Sequence, residues 1–229
     1  MINNNGFIII NDTLVKYEGT SEIVVIPGGI TKIGVKAFYI NDHIKEVIIP
    51  EGVETICDNA FEECRSLVKV ELPLSLIYIG NRAFLGCDAL TNINISDSVF
   101  IGDAAFCDCL SFVNEQGLTI VNGVLYCCAS EESEVVVPEG VTSISGRAFY
   151  TCSDLEKVTL PNSLKIIGAE AFLWCSSLKE INIPSSVIYI GYKAFAECPA
   201  LKSVVIPNRL ESAEVDPGAF DEATTLIYQ

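Results

Sequence analysis

The sequence predicts an α/β solenoid assembled from short coils, and three observations carry that reading. Ala-Phe recurs along the chain, with its phenylalanine at Phe38, Phe61, Phe84, Phe106, Phe149, Phe172, Phe195 and Phe220. The spacing stays in the twenties except between Phe106 and Phe149, where it nearly doubles. A fixed period of that size marks a stack of supersecondary units, none of which can bury its apolar face alone. Within a period the pattern alternates like a strand, stops at proline, alternates briefly again and ends in the Ala-Phe turn. Finally, sliding the chain along itself until Gly6 falls on Gly117 also lays Asn11 on Asn122, Leu14 on Leu125, Pro27 on Pro138, Phe38 on Phe149 and Phe84 on Phe195. Two homologous blocks are expected, 1–111 and 112–229, read as one continuous solenoid.

Each block opens outside the short period. GFIII-ND-TLVKY and GLTIV-NG-VLYCC place two-residue turn signals between β-rich runs, which predicts hairpins. Asn-Gly suits a type I′ turn, and Asn11-Asp12 is its weaker form. The second hairpin accounts for the long gap between Phe106 and Phe149 and either interrupts the stack or joins two stacks.

The repeat itself has three pieces. In LVKVELP, Leu67, Val70 and Leu72 point inward and Lys69 and Glu71 outward, the alternation of a strand with one wet face. The proline that ends it, such as Pro50, Pro73, Pro161 or Pro184, cannot continue a ladder. A short second run follows, with Val53 and Ile56 or Leu76 and Ile79 inward, and then glycine at Gly34, Gly80, Gly102, Gly168 and Gly191. Glycine serves there for positive φ or close backbone approach. The third piece, AFEECRSL, is too short for an independent helix and predicts a helical turn or two, with the phenylalanines stacked in an internal spine. The last repeat is slightly longer between Pro207 and Phe220 than its counterparts.

Composition narrows the function classes. Half of the chain is hydrophobic and 19% is charged, which excludes general disorder. A net charge of −16 repels phosphate backbones and anionic lipid, so neither a nucleic-acid partner nor a membrane surface is expected. Apolar runs are too short to span a bilayer. The N-terminus, MINNNGFIII, lacks a basic segment followed by a long apolar one, which reads as cytoplasmic for the chain as given and as secreted or cell-surface if a signal was removed. Cys64, Cys87, Cys109, Cys152, Cys175 and Cys198 each follow an Ala-Phe phenylalanine at the same short distance, and one position repeated in this way predicts a ladder of reduced core thiols.

The recurring VxxIGxxAFxxCxxL pattern resembles the BspA-like, or Treponema pallidum-type, leucine-rich repeat, from about Val24 to Leu226. The resemblance implies a right-handed leucine-rich-repeat superhelix with a parallel sheet on the concave side, short strands on the convex side, and recognition of other molecules. Many such proteins are secreted or surface adhesins. No shared catalytic residues come with it.

Reading the residues for chemistry supports no reaction centre. His43 stands alone, in a turn, with no partner for nucleophilic catalysis. Cys107, Cys109, Cys127 and Cys128 cluster in sequence near the central break, and thiolates suit zinc, but their spacing is not a pair of CxxC knuckles. PGGITKIG and PEGVTSISG lack the ending of a phosphate loop. No catalytic, cofactor or metal residue is assigned. Tyr78, Tyr189 and Tyr192 are the candidates for an exposed aromatic surface. Binding is expected instead at outward strand positions of the concave sheet. These are Val25, Ile48, Glu71 and Asn94 in the first block and Val136, Thr159, Asn182 and Val205 in the second, flanked by Glu46, Lys69, Lys157 and Glu180. The surface is mixed and suits a broad contact with a protein partner. The chain thus reads as a monomeric, non-catalytic recognition or scaffold module, with an adhesin for host protein or glycan as the alternative.

Overall fold

The computed structural model describes residues 5–96, 98–208, 210 and 214–229. It divides into two compact units, Met1–Phe112 and Val113–Gln229.

The first unit begins with an antiparallel hairpin of β1 (Phe7–Ile10) and β2 (Thr13–Tyr17). Strands of two kinds then alternate: β3 (Ile23–Val25), β4 (Lys32–Ile33), β5 (Glu46–Ile48), β6 (Thr55–Ile56), β7 (Lys69–Glu71), β8 (Tyr78–Ile79), β9 (Asn92–Ile93) and β10 (Phe100–Ile101). The longer strands form a parallel sheet in the order β3-β5-β7-β9. The two-residue strands form a second sheet, β1-β2-β4-β6-β8-β10, parallel apart from the hairpin. The hairpin is therefore no insertion. Its second strand is the first rung of the short-strand sheet, with Leu14 beside Ile33.

The second unit repeats this plan. Its hairpin is β11 (Leu118–Val121) and β12 (Val124–Cys128), and Asn122 and Gly123 both take the positive φ a type I′ turn requires. There follow β13 (Glu134–Val136), β14 (Ser143–Ile144), β15 (Lys157–Thr159), β16 (Ile166–Ile167), β17 (Glu180–Ile181), β18 (Tyr189–Ile190), β19 (Ser203–Ile206) and β20 (Thr225–Tyr228). The short strands order as β11-β12-β14-β16-β18. The longer ones form β13-β15-β17 and β19-β20, bridged between Asn182 and Val205. In the stretch where the last repeat is lengthened, Arg209 and residues 211–213 lie outside the described residues.

Between the two sheets of each unit runs a dry core in which equivalent residues stack. Phe38, Phe61, Phe84 and Phe106 in the first unit, and Phe149, Phe172 and Phe195 in the second, are fully buried. Their rings lie nearly parallel, with centroids 4.7, 5.1 and 5.4 Å apart in the first unit and 4.6 and 4.9 Å in the second. The hairpin supplies the first members of the earlier stack, Phe7 on Tyr17 and Tyr17 on Phe38. Burying each ring stabilises the stack by about 1.5–3 kcal/mol.

The expected helical turns do not form, and the α component of the predicted fold class falls with them. The one helical element among the described residues is the short 3-10 turn Leu110–Phe112. Around each phenylalanine the amides take turns instead. Asn59, Phe61 and Glu63 donate to Asn81, Ala83 and Leu85 of the next coil, while Ala60, Glu62 and Cys64 donate to Cys57, Asn59 and Phe61 of their own. An α-helix would need every amide to reach one full turn back within its own coil. Half of them here bind the neighbouring coil, so the segment is a row of linked turns.

That row demands left-handed backbone on either side of each phenylalanine: Lys36 and Ile40, Asn59 and Glu63, Arg147 and Thr151, Glu170 and Trp174, Lys193 and Glu197. Glycine, the natural residue for such φ, occupies it only at positions such as Gly86. The glycines at Gly34, Gly80, Gly102, Gly168 and Gly191 have another reason. None has positive φ, and a Cβ added at Gly102, Gly168 or Gly191 would stand 2.6 Å from a backbone nitrogen of the preceding coil. Close approach, not φ, fixes them.

Candidate recognition surface

The alternation that turns Val47, Val70 and Val158 into the core turns their strand neighbours outward. Register then makes columns of them. Val25, Ile48 and Glu71 stand side by side on β3, β5 and β7, with exposed Asn94 just past the end of β9. Glu46 and Lys69 form the flanking column, beside Asn92. In the second unit Val136 pairs with Thr159, Asn182 with Val205, and Lys157 with Glu180. Ile48 and Val205 are half-buried, whereas Val25 and Val136 are 61% and 52% exposed.

Lysines on these faces are paired with carboxylates of the same or the neighbouring coil. The Lys69 ammonium lies 2.9 Å from Glu46 and 2.5 Å from Glu71, and these carboxylates, Glu71 first, push its pKa up to about 12. Lys157 lies 3.5 Å from Glu180. Lysines so engaged are poorly placed to attract a phosphate.

Both faces carry a depression at the same place in the repeat. In the first unit it is about 290 Å³, lined by Glu71, Pro73, Leu74, Asn92, Asn94 and Val99 among others. In the second it is about 410 Å³, lined by Lys157, Thr159, Asn162, Glu180, Asn182, Pro184, Ser203 and Val205. In the alignment of the two blocks Glu71, Pro73, Asn92 and Asn94 correspond to Asn182, Pro184, Ser203 and Val205. The depressions bring together seven of the residues singled out by alternation. They also take in Leu74 and Asn162, turn residues just beyond a proline, which alternation within strands passes over. Leu74 is 96% exposed, and a large apolar side chain left in water directly after the strand-ending proline was the available signal.

The other candidates lie apart from these faces. His43 is exposed, its backbone amide donating to Asn41 Oδ1. Cys107 and Cys109 belong to the first unit and Cys127 and Cys128 to the second. Among the described residues no three His, Cys, Asp or Glu side chains gather as metal ligands would. The ladder cysteines act as donors: Cys64, Cys87, Cys109, Cys175 and Cys198 each hydrogen-bond the phenylalanine carbonyl of the preceding coil at 3.0–3.1 Å. Burial pushes the Cys64 and Cys198 thiols up to about 12, and those of Cys87 and Cys175 higher still. Such thiols are inert. Tyr78 is half-buried against Phe100, Tyr189 donates to Asp216, and Tyr192 is exposed. These tyrosines belong to the short-strand side of the coils. No described helix is long and apolar enough to cross a membrane.

Two parallel sheets around a ladder of identical residues define a repeat solenoid, a class that presents area rather than an enclosed reaction centre. The chain belongs to the BspA-type leucine-rich-repeat family, whose model matches residues 8–117 and again 118–227. That makes it a leucine-rich-repeat module, of a kind that generally mediates protein interactions. Among solved structures it is similar to a leucine-rich cell surface protein from Faecalibacterium prausnitzii (21% identity over 97% of this chain and 92% of that one, TM-score 0.40). It is similar also to a leucine-rich repeat protein from Bacteroides capillosus, at 31% identity over 46% of this chain and 94% of that one, TM-score 0.40. The leucine-rich repeat protein of T. pallidum shares 23% identity over 88% and 84% of the two chains, TM-score 0.35. Curated proteins give no match.

Proposed function

We propose that each unit recognises a protein partner through the outward face of its longer-strand sheet, centred on the repeated depression. The observation that carries this reading is the recurrence of the hollow at equivalent residues, Glu71 and Asn94 in one unit and Asn182 and Val205 in the other. The same outward columns carry the exposed apolar residues Val25 and Val136, and amide and hydroxyl groups able to donate and accept. A stiff sheet is already ordered, so binding loses little conformational entropy. Many shallow contacts then sum to useful affinity.

The test uses the full chain as bait, with Glu71→Arg/Asn94→Arg and Asn182→Arg/Val205→Arg as face variants whose folding is checked by circular dichroism. A partner should be captured by the parent chain and lost at least tenfold from one double variant. Equal capture by both variants would remove the face from consideration. Capture that survives protease treatment of the lysate but not glycosidase treatment would transfer the assignment to a glycan, the adhesin reading.

A further inference from the structure

We propose that Cys128 and Cys152 form a redox-active thiol pair, which closes to a disulfide by exchange with a low-molecular-weight disulfide and clips the hairpin β11–β12 to the first coil of the second unit.

The pair arises where the repeat breaks its own rule. At every other ladder cysteine with a phenylalanine coil before it, the thiol donates to that phenylalanine's carbonyl at 3.0–3.1 Å. Before Cys152 the preceding rung is the hairpin, and Cys128 fills the place of the phenylalanine. The Cys152 sulfur stands 3.8 Å from the Cys128 carbonyl oxygen, within reach of the thiol that the same residue carries. The equivalent positions of the first unit hold Tyr17 and Asn41. Both sulfurs therefore appear together, in one unit and not in the other.

The backbone brings the two residues together. The Cys128 amide donates to Ala148 at 2.7 Å, which sets Cys128 beside Phe149 of the next rung. The turn closed by the Cys152 amide on the Phe149 carbonyl then carries the Cys152 sulfur back to 3.8 Å from the Cys128 carbonyl oxygen. Access separates this pair from the rest of the ladder. Cys128 and Cys152 are half-buried, while Cys64, Cys87, Cys109, Cys175 and Cys198 are closed to solvent. The contact also divides the labour. The hydrogen bond from Cys152 holds the Cys128 thiol below its ordinary range and raises that of Cys152.

The Cys152 thiol is engaged as a donor to the Cys128 carbonyl, and Cys128 is taken as the attacking sulfur. Its thiolate opens the reagent disulfide, forming a mixed disulfide and expelling one thiolate, which takes up a proton. Cys152 then gives up its proton and attacks the Cys128 sulfur, expelling the second. Two protein thiols are oxidised and one small disulfide is reduced to two thiols.

The experiment treats the reduced full-length chain with glutathione disulfide, then denatures it and alkylates the remaining thiols for peptide mass spectrometry. Two of the ten cysteines should resist alkylation and map to a Cys128–Cys152 linked peptide that dithiothreitol releases. Cys152→Ser should stop at a glutathione adduct on Cys128, and Cys128→Tyr, which restores the residue of the first unit, should give no internal disulfide. Alkylation of every cysteine after treatment would overturn the proposal, as would a bridge formed by Cys127 in place of Cys128. A Cys152→Ser chain without an adduct would overturn it too.

Discussion

The rings of Phe149 and Phe172 lie 4.6 Å apart at an interplanar angle of 10°. Aromatic pairs favour offset-stacked or edge-on arrangements over a face-to-face sandwich, and nearly parallel rings at this separation fit the offset-stacked form. Here the spacing is imposed by the sheets on either side, whose strands repeat every ~4.8 Å. The rings are carried to that distance by the backbone and then buried, so the spine follows from the ladder and reinforces it.

Removing a middle ring should be far more harmful than removing an end one. Phe172→Ala empties a site packed by Phe149 on one side and Phe195 on the other, and should cost about 3–5 kcal/mol. Phe220 is partly buried and, among the described residues, stacks on Phe195 on one side, so Phe220→Ala should cost less than half as much. Urea unfolding of the two variants measures this; equal losses would mean the spine is not a nearest-neighbour stack.

The glycines of the short-strand turn should resist substitution although their φ is ordinary. Gly191→Ala would bring a Cβ within 2.6 Å of the Ala169 nitrogen, and backbone must move at about 1–3 kcal/mol. Gly28→Ala meets nothing within 4 Å and should leave stability within about 0.5 kcal/mol. Thermal melts of both chains decide it.

At Ile40 the opposite substitution should help. This β-branched residue is held at φ 54 and is largely exposed, where the left-handed conformation costs a side chain about 1–2 kcal/mol. Gly86 fills the same position two coils later. Ile40→Gly relieves the strain, loses some unfolded-state restriction, and should stabilise the chain by about 0.5–1 kcal/mol. A lower denaturation midpoint would contradict the assignment of strain there.

Alkali should unfold the protein through its core thiols. Cys64 and Cys198 titrate near 12 when folded, raised chiefly by burial, against about 8.5 in the unfolded chain. The raised folded value means their stabilisation is complete below about pH 8.5 and is lost as pH climbs from there toward 12, by up to about 1.4 kcal/mol per pH unit per thiol. Urea midpoints at pH 8 and pH 10 should fall more for the parent than for Cys64→Ala. Parallel falls would show that the thiol contributes nothing to the slope.

Much of this was legible in one dimension. The Ala-Phe beat, the proline after each strand and the alternation of LVKVELP announced stacked coils, because each apolar residue must face the same core in every rung, while the parallel sheet was what the leucine-rich-repeat resemblance implied. The outward columns from Val25 to Asn94 and from Val136 to Val205 followed from the same alternation. What periodicity could not decide was how the turn at each phenylalanine hydrogen-bonds. Helix or linked turns depends on whether the amides of Asn59, Phe61 and Glu63 reach back along their own coil or across to the next, and only stacking offers them the second choice. The depressions at Leu74 and Asn162 and the meeting of Cys128 with Cys152 have the same origin. They join residues from different coils, and sequence order carries no distance between coils until the backbone ladder sets it.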